Sequence, residues 1–148
     1  MDQLATHHAF TAYVITAIVL CLNILGLWGY SGGVRVGTKT AINPEDIRTV
    51  AKDAALLESD PPEVARVLRA HRNATDNIVP FLILGYLYVQ IGASSTMAMG
   101  IFGVFTAMRL LHTFSYLKGV QPWRTISFAL GGVTTLVMIG DMIRHLLT

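Results

Sequence analysis

The chain has 148 residues, 53% of them apolar and only 14% charged, with 11 Lys and Arg against 9 Asp and Glu for a net charge of +2. An average soluble domain is about 25% charged, so this composition points to a single domain embedded in a membrane. The basic residues are spread across several segments and no soluble basic domain holds them, which gives no case for nucleic acid as a partner.

The first predicted element is an apolar span over about residues 9–30. Its run from Thr11 to Tyr30 carries no charge, and at 1.5 Å per residue it reaches roughly 30 Å, the thickness of bilayer hydrocarbon. A signal peptide is not expected: there is no basic leading region, the apolar run is too long, and no small-residue cleavage site follows. Cys21, the single cysteine, lies in this span among Leu, Val and Ile. As the only one, it rules out an internal disulfide or a cysteine-based metal site, and its expected role is inert packing.

Gly32 and Gly33 are expected to end this helix and open a long connection, residues 31–61. That connection carries Arg35, Lys39, Arg48 and Lys52. "NPED" (Asn43–Asp46) has the pattern of a helix start, with Asn43 as cap, Pro44 in the first position and acids in the first turn. "DPPE" (Asp60–Glu63) repeats the pattern and opens a second span, about residues 62–91. The third and fourth spans are expected over about 95–117 and 123–147, joined by the short turns "IGASS" and "KGVQP". Lys and Arg are concentrated in the long connection and around the second of these turns, at Lys118 and Arg124. By the positive-inside rule both face the cytoplasm, and both termini lie on the opposite side.

The second span is unusual. Arg69, Arg72, Asn73 and Asp76 fall at i, i+3, i+4 and i+7, so they share one helical face, with Arg66 a turn earlier and His71 at the edge of the stripe. Pro80 follows, where a backbone hydrogen bond is lost. The third span repeats the theme with Arg109, His112 and Tyr116 at i, i+3 and i+7, and the fourth begins with Arg124 and Thr125 directly after Pro122 and Trp123. Two plainer readings stay open: an ion-pair ladder along the second span, and arginines snorkelling to headgroups. Trp123 and Tyr116 also suit an interfacial aromatic belt, Met97, Met99 and Met108 suit packing, and Asp141 suits an ion pair with Arg144. The histidines have no metal-binding spacing, so no metal is expected. An ionisable side chain facing lipid costs roughly 2.5 to 3.5 kcal/mol on insertion scales. The three polar sets are therefore expected to converge in a cavity, one that suits a small polyanion carrying carboxylates and an ammonium.

"NPED", "RAHRNATDNIVPFL", "RLLHTFSYL" and "QPWRTISF", from about Arg35 to Phe128, together resemble the membrane-associated proteins in eicosanoid and glutathione metabolism, the MAPEG family. The resemblance implies an all-α, integral membrane four-helix bundle that forms a homotrimer, with glutathione as co-substrate bound between neighbouring subunits on the cytoplasmic side of an endoplasmic reticulum or bacterial inner membrane. It implies that Arg69 and Arg72 hold carboxylates, Asn73 the peptide, and Asp76 the γ-glutamyl ammonium, with His71 in the same element. His112 and Tyr116 match third-helix contacts, Arg109 a polar position beside them, and Arg35 a basic contact at the end of the first helix. Arg124 matches the arginine that stabilises the thiolate, Thr125 stands where relatives place an assisting serine, and Asp46 matches a loop aspartate near that arginine.

There are two departures from the family pattern. Asp76 stands where glutamate is usual, and Phe128 stands where the prostaglandin E synthase branch has tyrosine. The function implied is a glutathione transferase acting on lipophilic electrophiles, extended to peroxidase activity on lipid hydroperoxides. The alternative is a glutathione-dependent prostaglandin-type isomerase. A non-catalytic membrane scaffold and a small multidrug exporter are the readings from other classes; an exporter depends on an acid deep in a helix, and here the first span has none, Asp76 is hemmed in by arginines and Asp141 lies near a terminus.

Overall fold

The computed structural model describes residues 2–147, with side chains from residue 8 onward. Its elements are α1 (Asp2–Thr38), β1 (Thr40–Ala41), α2 (Pro44–Arg48), β2 (Ala55–Leu56), α3 (Pro62–Gln90), α4 (Ser95–Lys118) and α5 (Trp123–Leu147). Among the described residues the elements are all helical apart from one short parallel pair, Thr40 beside Ala55 and Ala41 beside Leu56.

Among the described residues, three helices are long and apolar enough to cross a bilayer: His8–Thr38, Ser95–Lys118 and Trp123–Leu147. α3, which matches the expected second span, has 29 residues and the length to do so. Its first half, however, carries Glu63, Arg66, Arg69, Arg72 and Asp76. Its second half is core: Ile78, Phe81, Tyr88 and Val89 are buried. Phe81 lies flat on Phe105 of α4 and meets Phe102 edge-on. Two side-chain bonds join α1 to α4 inside this apolar body, Asn23 Nδ2 to Thr113 Oγ1 at 3.1 Å and Thr106 Oγ1 to Thr16 Oγ1 at 3.4 Å. Polar groups so placed act as interhelical ties.

α1 does not stop at Gly32–Gly33 but continues to Thr38. A glycine inside a helix costs only about 1 kcal/mol, and packing outweighs that here, because Val34 lies against the core. The helix stops where Thr38 Oγ1 bonds the Arg35 carbonyl and Lys39 turns to φ 49. Continuing the helix carries Arg35 to Asp60, which it meets at 2.7 Å. Asp60 is therefore an ion-pair partner and not a helix cap; Pro61 precedes α3 without a side-chain cap. Asn43 precedes α2 with extended backbone and caps no N–H. Its Nδ2 donates instead to Asp46 Oδ2 at 3.2 Å.

The outer face of α1 exposes Ile15, Ile18, Leu22 and Leu25. Cys21 lies on this apolar face and is exposed. Met97 and Met99 are exposed as well.

At the end of the molecule remote from Lys118, Asp141 does pair with Arg144, accepting from Nε at 3.0 Å and Nη2 at 2.7 Å. It also accepts from the hydroxyl of Tyr88, a fully buried side chain. A hydrogen bond to a charged group is worth about 1.5–3 kcal/mol. Tyr88→Phe removes this tie between α3 and α5 and leaves the ring in place, so it lowers the thermal midpoint in detergent. An unchanged midpoint means that the tie carries no stability.

Candidate active site at the junction of α4 and α5

α4 ends at Gly119, which takes the left-handed conformation (φ 69) that a side chain disfavours and accepts the turn into α5. α5 begins at Trp123, so Arg124 and Thr125 lie in its first turn. This return path brings the end of α4 beside the start of α5. His112 Nδ1 lies 2.9 Å from the carbonyl oxygen of Arg124. That oxygen can only accept, so Nδ1 carries the hydrogen, and in the neutral ring Nε2 is left as an acceptor. His112 Nε2 is buried and has no protein partner. The Arg124 guanidinium lies over the ring of Tyr116, 5.2 Å from its centroid. Tyr116 in turn meets His112 edge-on at 5.6 Å.

Beneath this group sits Arg109, only 2% exposed. Its guanidinium lies between the rings of Phe105 and Phe128, at 5.7 and 5.6 Å. It donates to the Ser127 carbonyl at 3.4 Å, and its Nε and Nη1 have no protein partner. Gly131 admits it: a Cβ there would lie 3.0 Å from Nη2. Arg109 is thus a buried support below the site and does not line its mouth.

The α3 stripe points elsewhere. Arg69, Arg72 and Asp76 are exposed on the surface of the single chain. Among the described residues the only ion pairs are those of Arg35 with Asp60 and of Asp141 with Arg144 and His145, so no ladder runs along α3. Asn73 Oδ1 is buried without a protein partner. His71 is half-buried, and its carbonyl accepts from Thr75 Oγ1 at 3.0 Å. Arg35 and Asp46 line a cavity of about 410 Å³ beneath the β1–β2 pair, together with Lys39, Lys52 and Asp53. Arg124 is not part of that lining. A single chain therefore unites His112, Tyr116 and Arg124, with Thr125 alongside. Among the described residues no side-chain bond joins Arg69, Arg72 or Asp76 to them, although Arg66 at the start of the stripe reaches Gly119 at the end of α4.

Two residues at the junction escaped the sequence reading. Ser127 is fully buried; its Oγ donates to the Trp123 carbonyl at 2.7 Å and lies 3.5 Å from His112 Nδ1. Gln121 faces both Arg124 and Thr125. Its spacing of three and four residues from them was a readable signal.

A family model described as the MAPEG family matches residues 13–143. Microsomal glutathione S-transferase 1 from Mus musculus is 32% identical over 147 residues, covering 97% of this chain and 95% of that protein. Prostaglandin E synthase from Bos taurus is 34% identical over 143 residues, covering 90% of this chain and 92% of that protein. Prostaglandin E synthase from Homo sapiens is 32% identical over 149 residues, with 93% of each chain covered.

Proposed function

Because the chain belongs to the MAPEG family, we propose that it is an integral membrane glutathione transferase. It joins glutathione to lipophilic electrophiles dissolved in the bilayer and also reduces lipid hydroperoxides. The observation that carries this reading is the junction itself: a guanidinium stacked on Tyr116, beside a histidine whose second nitrogen has no protein partner. Glutathione offers two carboxylates, an ammonium, two amides and a thiol, and the available side chains match these groups. Arg69 and Arg72 are forks for carboxylates. Asp76 accepts from the ammonium, with one methylene less reach than a glutamate. Asn73 Oδ1 and His112 Nε2 accept N–H or S–H donors, and Arg35 near the end of α1 and Asp46 of α2 add polar groups from their own cavity.

A free thiol has a pKa of about 8.5 and is mostly protonated at pH 7. A guanidinium within contact distance stabilises the thiolate, the nucleophilic form. The thiol proton leaves to water, the sulfur lone pair forms the new carbon–sulfur bond, and the electrophile's leaving group departs with the displaced electron pair. With a hydroperoxide, two thiols supply the two electrons that cleave the O–O bond, giving a disulfide, an alcohol and water.

Exposure of Arg69, Arg72 and Asp76 on the surface of the single chain supports assembly as a homotrimer of four-helix bundles. In that arrangement α3, despite its charge, crosses the membrane with its stripe covered by a neighbour. Lys and Arg counts support the basic end, with the site, on the cytoplasmic side.

The test is titration of detergent-purified protein with glutathione, followed by thiolate absorbance, then turnover on a panel of aromatic electrophiles and hydroperoxides. Binding without a thiolate signal and without turnover on either class would end the transferase reading. Similarity to prostaglandin E synthase keeps an endoperoxide isomerase as the second reading. Phe128 argues against it, because its ring covers Arg109 and offers no phenolic donor. Turnover of an endoperoxide without any of generic electrophiles would reverse the order.

A further inference from the structure

Arg124 has a task that an arginine does not perform unaided. Its side chain is long and mobile, and its charge has to be delivered to one sulfur atom. We propose that Gln121 is the positioning residue for Arg124, fixing one edge of the guanidinium through a neutral oxygen. The inference rests on the function proposed above and concerns how its central cation is held.

Gln121 sits in the turn before α5, three residues ahead of Arg124 and four ahead of Thr125. With its amide oxygen facing Arg124, that oxygen accepts from Nε at 3.2 Å and from Nη2 at 2.7 Å, while the amide nitrogen donates to Thr125 Oγ1 at 3.1 Å. One amide thus orders both polar residues of the first turn. Backbone bonds from Arg124 N to the Val120 carbonyl and from Thr125 N to the Pro122 carbonyl hold the turn itself. Tyr116 covers one face of the guanidinium. The side chain is then fixed by an edge and a face. The hydrogens of Nη1 and the second hydrogen of Nη2 point away from the amide, and the Thr125 hydroxyl, already an acceptor, keeps its own hydrogen to donate. These are the groups a thiolate would meet.

The neutrality of the holder is the important feature. A carboxylate would hold an arginine edge with equal geometry and greater strength, as Asp60 holds Arg35 in this chain at 2.7 Å. It would also cancel much of the field that stabilises a thiolate nearby. Among the described residues no carboxylate pairs with Arg124. Gln121 supplies orientation and leaves the charge uncompensated.

The experiment compares wild type, Gln121→Ala and Gln121→Glu as full-length protein in detergent. Thiolate absorbance is followed against pH at saturating glutathione, and the glutathione Kd is measured separately. Gln121 is exposed, so neither change threatens the fold. For Gln121→Glu the bound thiol is expected to ionise about one pH unit higher than in wild type, a roughly tenfold smaller thiolate fraction well below both midpoints. Its Kd stays within about threefold of wild type. Gln121→Ala shifts the midpoint in the same direction by less, because orientation is lost but charge is kept. Wild-type midpoints in both variants, or a larger shift for alanine than for glutamate, overturn the assignment to Gln121 and leave the transferase reading intact. Absence of a thiolate signal in wild type overturns both.

Discussion

Arg124→Ala slows glutathione conjugation at pH 7 by roughly 10- to 150-fold while leaving the glutathione Kd nearly unchanged. The range is that of a hydrogen bond to a charged group, about 1.5–3 kcal/mol, converted at about 1.4 kcal/mol per decade. The side chain sits at the start of α5 against Tyr116 and Gln121, and no carboxylate among the described residues shares its charge. Removing it costs the thiolate its nearest cation but spares the carboxylate and ammonium contacts assigned to α3. The pH profile separates this role from simple damage. In wild type the lowered thiol pKa keeps the rate flat from neutral pH upward. In the variant the bound thiol titrates near its free value, so the rate climbs as pH rises toward about 8.5 and the defect shrinks. A defect of constant size at every pH would show that Arg124 does not act on the thiol. Lysine at this position returns the charge without the two-pronged edge, and so recovers the rate only in part.

The legible and illegible parts of the chain divide by range. The α3 stripe was visible because Arg69, Arg72, Asn73 and Asp76 recur with helical spacing next to an uncharged run, and periodicity is a local property. The proximity of His112 to Arg124 is also nearly local: a turn closed by Gly119 folds α5 back along α4, so residues twelve apart in sequence come to 2.9 Å. The end of α1 was misjudged because two adjacent glycines are a local stop signal, and the packing of Val34 that overrides them comes from distant helices. Asp60 fits a capping rule in its own segment, yet its partner is Arg35, twenty-five residues away. The β1–β2 pair has two residues per strand, too few for any alternation to register. Burial of Arg109 depends on a glycine one helix away, at 131, and nothing in the sequence around Arg109 announces it. Cys21 shows the converse limit: an apolar run identifies a span but not which of its faces turns inward.

Arg72→Ala is expected to weaken glutathione binding by roughly 10- to 150-fold, the loss of one charge-assisted contact, with kcat at saturation little changed. That is the reverse of the Arg124 result, and the contrast distinguishes holding the tripeptide from activating its sulfur. The exposed position of Arg72 makes a stronger test available. A cation on the outer surface of a membrane helix costs several kcal/mol if it meets lipid. Among the described residues no ion pair holds it. If each site combines the α3 stripe of one chain with the α4–α5 junction of its neighbour, Arg72→Ala and Arg124→Ala damage opposite halves of a site. Co-expressed in equal amounts they assemble some sites with both halves intact, roughly a quarter under random mixing around a closed ring. Activity at sub-saturating glutathione then exceeds the mean of the two variants measured alone. Complementation requires that the damaged halves come from different chains, so mixing that returns only the mean would place Arg72 and Arg124 of each site in one chain.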